Sequence, residues 1–206
     1  MKKAFLFQLF VILFISIFCA LGTWQLYRLQ WKLEIINQIT VGLNSNPVEY
    51  SNLMKKNYQR VNTKGKYIFD EQIYLYNLND SGKPGYDVIT PFKTDKNENV
   101  LINRGWISKE LKGSQTINPQ KGAEQKVVGF LRKIYKPNMF KPANDIVDNV
   151  WFSINLDDIR EFTGKQFNEF VIFLEDDQVK KPLPKKISVD VPNNHLKYAI
   201  TWYAIS

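Results

Sequence analysis

One cysteine and one histidine, Cys19 and His195, are all that the 206 residues contain of either type. No disulfide can close within the chain, and no zinc or iron–sulfur centre can be assembled from Cys/His clusters. Arginine is scarce too, at five of the 28 basic residues, the rest being lysine. P-loop, HExxH, CxxC and GxSxG patterns are all missing. A spatially assembled Ser/His/Asp site would have to use His195, so the chain reads as no enzyme. Apolar and aromatic side chains, by contrast, are plentiful, at 44% and 14%. That is enough to build a core, and the aromatics suit a β-rich or membrane-contacting protein.

The apolar residues are concentrated first at the amino end. Ala4 to Leu21 carries no charge, and Gln8 and Ser16 are its strongest polar interruptions. Extended through Tyr27, it covers the roughly 20 residues a bilayer requires. A cleaved signal peptide would need small residues before the cut, but Phe18 sits three residues before any cut after Ala20. Phe18 also argues against lipidation at Cys19. The segment therefore reads as an uncleaved anchor. Lys2, Lys3 and the amino terminus, set against Arg28 and Lys32, favour a cytoplasmic amino end. The net charge of +8 then gives no reason to expect a nucleic acid partner, because the main domain would lie outside the cytoplasm. If the helix continues, Trp24, Arg28 and Trp31 share one stripe. Interfacial indoles and a snorkelling cation explain these residue types as well as a docking role does.

From about Tyr58 the pattern becomes short alternating apolar runs between turn signals. The predicted strands are Tyr58–Phe69, Gln72–Leu78, Tyr86–Lys93, Asn99–Ile107, Gln125–Ile134, Val150–Ile154 and Glu169–Leu174. One helix is predicted over Leu156–Thr163, with Asn155 as N-cap and Gly164 at its stop. Within Asn103-Arg104-Gly105-Trp106, simple alternation puts Arg104 and Trp106 on one face. Gly105 there suggests a bulge or a close backbone approach. Lys180 to Lys186 reads as an extended, solvated basic linker leading away from the domain.

After the linker, Pro192 and Asn193 open an apolar run containing His195. His195, Trp202 and either Tyr198 or Ala199 would align on one helix face. A lone histidine is ordinarily structural. Opening an apolar helix beside a membrane, it is also placed to be an axial ligand to a flat hydrophobic macrocycle, with Tyr198 and Trp202 as apolar wall.

Three separated motifs now converge. Leu21-Gly22-Thr23-Trp24-Gln25-Leu26-Tyr27-Arg28 with Trp31-Lys32, the strand Leu101-Ile102-Asn103-Arg104-Gly105-Trp106-Ile107, and Asn193-Asn194-His195-Leu196-Lys197-Tyr198 through Tyr203 resemble the signatures of the Surfeit locus protein 1 family. These are membrane assembly factors of cytochrome c oxidase. A weaker fourth match is the order Pro142, Asn144, Trp151, Asp157. The resemblance implies an α+β membrane protein. An anchor and its helical extension would occupy 1–32, and an antiparallel, barrel-like β-rich outer domain with one short helix 33–179. A basic linker would occupy 180–192 and the start of a second membrane helix 193–206. That helix continues further in the family, so the chain reads as stopping within it.

The resemblance further implies a part in delivering haem a to oxidase subunit I. His195 would be the metal ligand, and Tyr198 and Trp202 would lie at the cofactor. Trp24, Gln25, Arg28, Trp31, Arg104, Gly105 and Trp106 are the candidate contacts to subunit I, to other assembly factors and to lipid. In a functional role Arg104 would meet a haem propionate or an acidic partner loop, whereas the plainer and favoured reading of its strand is a packed tryptophan at a barrel corner. The alternative is a scaffold that stabilises oxidase intermediates without touching haem. Abundant Lys, Asn and Ile, and only three residues before the anchor, point to a bacterial inner membrane with the domain in the periplasm.

Overall fold

The computed structural model describes residues 2–54, 56–118, 122–175, 181–185 and 193–206. The chain divides into two compact units, one holding α1 as far as Val41 together with the carboxyl-terminal helix, the other holding the sheet.

Helix α1 runs unbroken from Lys2 to Asn44 and is long and apolar enough to cross a membrane. Its hydroxyls are satisfied within the helix: Ser16 donates to the Ile12 carbonyl and Thr23 to that of Cys19. The helix passes Lys32 without interruption because no proline intervenes and Ile35, Ile36 and Ile39 keep a helical repeat. It stops just before Pro47, where Ser45 donates from both its backbone N–H and its hydroxyl to the Gly42 carbonyl. In the same unit, α3 spans His195–Ile205, a length short of a bilayer crossing.

In the other unit, β1 (Val48–Glu49), β2 (Arg60–Tyr67), β3 (Ile73–Leu78), β4 (Pro84–Thr94), β5 (Asn99–Ser108), β6 (Gln125–Lys133) and β7 (Phe170–Leu174) form one sheet. Its order is β1-β2-β6-β7-β5-β4-β3, and a further pairing of β2 with β4 closes β2, β6, β7, β5 and β4 into a barrel-like ring. Strand β4 achieves this by pairing β3 along its first half and β2, at Phe92 to Thr94, along its end. Most pairs are antiparallel, but β5–β7 and β1–β2 are parallel. Strand β7 arrives through helix α2 (Leu156–Thr163), the kind of connection a parallel neighbour requires.

Both faces of the ring are covered. Val100, Ile102, Phe170 and Ile172 point into one core with Phe92 and Leu131. Their neighbours Leu101 and Val171 point into a second core beneath α2, with Trp151 and Ile159. Coverage on both sides explains why these strands read as continuous apolar runs. Helix α2 is capped as predicted: Asn155 Oδ1 accepts from Asp157 N–H at 3.1 Å, and Gly164 closes it at φ 67°.

Val150–Ile154, predicted as a strand, is not one. Only bridges form there, Trp151 with Leu75 and Val150 with Asp145. Asn144 Oδ1 takes the backbone N–H groups of Phe152 and Ser153, which turns the chain into α2 instead of along a ladder. Residues 181–185 do not lead away from the domain, because Leu183 exchanges both backbone hydrogen bonds with Trp106 at 2.8 Å. Lys180, Lys186 and Pro192 fall outside the described residues.

Candidate functional site

In the helical unit, α3 packs antiparallel against α1. From His195 to Trp202 the contacts run back from Gln25 to Phe18. His195 Nδ1 lies 2.8 Å from Gln25 Oε1, the Trp202 ring stacks on Phe18 at 5.8 Å, and Tyr203 Oη meets Thr23 Oγ1 at 2.9 Å. Two small residues permit the approach. Ala199 is fully buried, and a Cβ added at Gly22 would sit 2.8 Å from the Tyr203 ring. Of the two residues that could have joined His195 and Trp202 on one face, Ala199 takes the position, while Tyr198 is 53% exposed.

Phe18, Gly22 and Gln25 therefore form the contacting stripe of α1. Trp24, Arg28 and Trp31 lie on a different, exposed stripe, where the Arg28 guanidinium sits 4.6 Å from the Trp31 ring centroid. The sequence reading missed Phe18, Thr23 and Tyr203. The signal that could have found them is the matched spacing of Phe18, Gly22 and Gln25 with Trp202, Ala199 and His195, one small residue on each helix.

The Asn103–Trp106 segment lies in the sheet unit and does a different job. Asp87 pairs with Trp106 and Ile89 with Asn103, so Arg104 and Gly105 together stand opposite the single residue Val88. This is a β-bulge, and it reverses the alternation. Arg104 and Trp106 consequently occupy opposite faces, contrary to the simple period of two. Asn103 stabilises the bulge, its Oδ1 accepting the Gly105 N–H at 2.9 Å. Gly105 is required there: its φ is 122°, and a Cβ would meet the Leu183 carbonyl oxygen at 2.2 Å.

Arg104 turns inward and is buried. Its guanidinium donates to Gln72 Oε1 at 3.0 Å, to Asn118 Oδ1 at 2.8 Å and to the Ile117 carbonyl, and lies about 5 Å from the ring centroids of Tyr67 and Phe69. Burial lowers its pKa from the ordinary guanidinium value, with Tyr67 and Tyr74 acting in the opposite sense. Trp106 lies on the other face and donates from Nε1 to the Asn77 carbonyl.

The pattern described as the SURF1 family matches residues 12–206. The chain belongs to the SURF1 family. It is 30% identical to a SURF1-like protein of Rickettsia conorii over all of this chain and 87% of that one. It is also 31% identical to Surfeit locus protein 1 of Takifugu rubripes, over 90% of this chain and 86% of that one. A SURF1-like protein of Rickettsia bellii is 30% identical over 97% of this chain and 86% of its own length. The motif positions of this SURF1 family member thus divide between its two units. Thr23 and Gln25 join α1 to α3 through Tyr203 and His195, and Asn103 to Trp106 build the bulge in β5.

Proposed function

We propose that this protein is a membrane-bound assembly factor for cytochrome c oxidase that assists delivery of haem a to subunit I. In this reading α1 crosses the bacterial inner membrane with its amino end in the cytoplasm, the sheet unit is periplasmic, and α3 begins a second membrane helix. The protein carries haem without catalysing a reaction.

The observation that supports this reading is the Gln25–His195 contact. A ring whose Nδ1–H donates to an amide oxygen keeps the lone pair on Nε2, and an outer partner of this kind fixes ring orientation in metal-ligating histidines. The donor set suits haem better than a bare ion. Among the described residues no three His, Cys, Asp or Glu side chains cluster as metal ligands. Iron in a porphyrin needs only an axial ligand from the protein. Trp202, two turns further along α3 and stacked on Phe18, supplies flat apolar surface on the same helix face as the imidazole.

The test is to express the full chain together with a haem a synthesis pathway, purify it, and read its absorption spectrum. His195→Ala is expected to abolish bound haem, and Gln25→Ala to lower it roughly tenfold. An unchanged haem yield in His195→Ala would remove the ligand role.

A second reading is a scaffold that holds subunit I or another assembly factor without touching haem. It is favoured by Met139, Phe140 and Val147, each nearly fully exposed on one segment of the sheet unit. It predicts that subunit I co-purifies undiminished with His195→Ala.

A further inference from the structure

On the face of the ring away from Arg104, a cleft of about 500 Å3 opens over Asn77, Asp87 and Asn103, within the size range of small-molecule sites. Asp87 is its most unusual member. The side chain is 3% exposed, and Oδ2 accepts from Asn77 Nδ2 at 2.8 Å, from Asn103 Nδ2 at 3.5 Å and from Lys185 Nζ at 2.9 Å. Oδ1 is buried as well and has no partner among the described residues. An unsatisfied buried acceptor is costly, and a carboxylate more so, which makes a donor supplied from outside the chain the natural explanation.

The walls add two properties. Leu75, Ile154, Val171 and Phe173 make one side apolar. Arg132, Lys133, Lys136, Lys141 and Lys185 make the rim strongly cationic. Lys185 is neutralised by Asp87 and Lys133 by Glu169, 3.4 Å away. No carboxylate pairs with Arg132, Lys136 or Lys141 among the described residues. Arg132 instead lies over the rings of Tyr58 and Phe173, and Lys141 donates to the Phe152 carbonyl. Three uncompensated cations around one cleft exceed what a single carboxylate would balance, and lysine ammoniums serve phosphate well as point charges.

We propose that this cleft binds a phosphate ester that carries its own hydrogen-bond donor, such as a hydroxyl. The phosphate lies against Arg132, Lys136 and Lys141, the donor reaches Asp87 Oδ1, and any apolar portion rests on Val171 and Phe173. A phospholipid headgroup and a free phosphorylated polyol share this chemistry. The site is built within the sheet unit from residues that take no part in the Gln25–His195 contact, and it does not depend on haem carriage.

The full chain in lipid-free, non-ionic detergent micelles would be titrated calorimetrically with glycerol 3-phosphate, with dihexanoyl-phosphatidylglycerol and with inorganic phosphate. Saturable binding of glycerol 3-phosphate, tighter than that of inorganic phosphate, is the expected result for a free metabolite. Saturation by the short-chain lipid alone supports the proposal with a headgroup as the source. Lys136→Ala with Lys141→Ala, both exposed, is expected to weaken binding roughly tenfold with no change in thermal unfolding. Asp87→Asn is expected to abolish the preference for glycerol 3-phosphate over inorganic phosphate. Equal, non-saturating heats for all three ligands would overturn the proposal. So would affinities that the double lysine variant leaves unchanged.

Discussion

The two units make contrasting use of tryptophan. Trp151 is fully enclosed in the core beneath α2, its ring edge-on to Phe162 at 5.9 Å and its backbone bonded to Tyr74 and Tyr76. Trp202 rests on Phe18 in a helix pair joined by few contacts, and much of α1 around it is apolar and exposed. The ring closes through its own strand pairings and buries apolar side chains in its own cores. The helix pair instead leaves much of its apolar surface exposed, on a helix α1 long and apolar enough to cross a membrane. Against lipid, burial in protein gives no hydrophobic advantage, and shape and polar contacts decide. Substitutions in the two units should therefore separate stability from function.

The widest separation comes from one change made twice. Trp151→Ala empties a large buried volume and is expected to lower the stability of the sheet unit by about 4 kcal/mol. Trp202→Ala is expected to leave that transition unmoved while reducing bound haem. Urea unfolding of the full chain in micelles, followed by near-ultraviolet circular dichroism, reads the first effect, and the absorption spectrum reads the second. Equal losses of stability would break the contrast.

Arg104 sharpens it, because a residue shared with the family motif here serves the fold. Arg104→Ala would leave Asn118 Oδ1 and the Ile117 carbonyl without the guanidinium donor, and Gln72 Oε1 with Thr90 Oγ1 alone, at a cost of about 3 kcal/mol. Arg104→Lys keeps the charge but loses the planar fork, so it is expected to recover less than half. The midpoint of the same urea transition measures both. A wild-type midpoint with impaired oxidase assembly would instead assign Arg104 to a partner.

How far the sequence revealed these features depended on how local each determinant is. The caps of α2 are legible because Asn155 and Gly164 act within a turn of their own helix. The alternation of β5 is legible as far as Asn103 for the same reason. The bulge is not, since it is defined by what stands opposite on β4 and by the Leu183 backbone, far along the chain. Val150–Ile154 reads as a strand from its composition. What diverts it is the side chain of Asn144, outside the apolar run. Strand β1 pairs through only two exposed residues, and no period can announce it. Gln25 and His195 are both visible in the sequence but separately, one within the motif that follows the anchor and one as the lone histidine. Their meeting belongs to tertiary packing and is written in neither helix.

The smallest expected effect tests whether local determinants also contribute least energy. Asn155→Ala removes one cap hydrogen bond to Asp157 N–H and the amide contact to Asp158 Oδ1. A cap of this type is worth about 1 kcal/mol. Helix α2 nevertheless roofs the core around Trp151 and Ile159 and leads into β7, so fraying at its start exposes apolar surface on the ring itself. A midpoint shift near that value would mean that the cap acts alone. A loss approaching that of Trp151→Ala would mean that the N-terminus of α2 and the Trp151 core melt as one unit, with Asn144, which bonds both Asp158 and the Phe152 backbone, as the link between them. The double variant Asn155→Ala with Asn144→Ala decides it: additive losses keep the two independent, and a shortfall from additivity joins them.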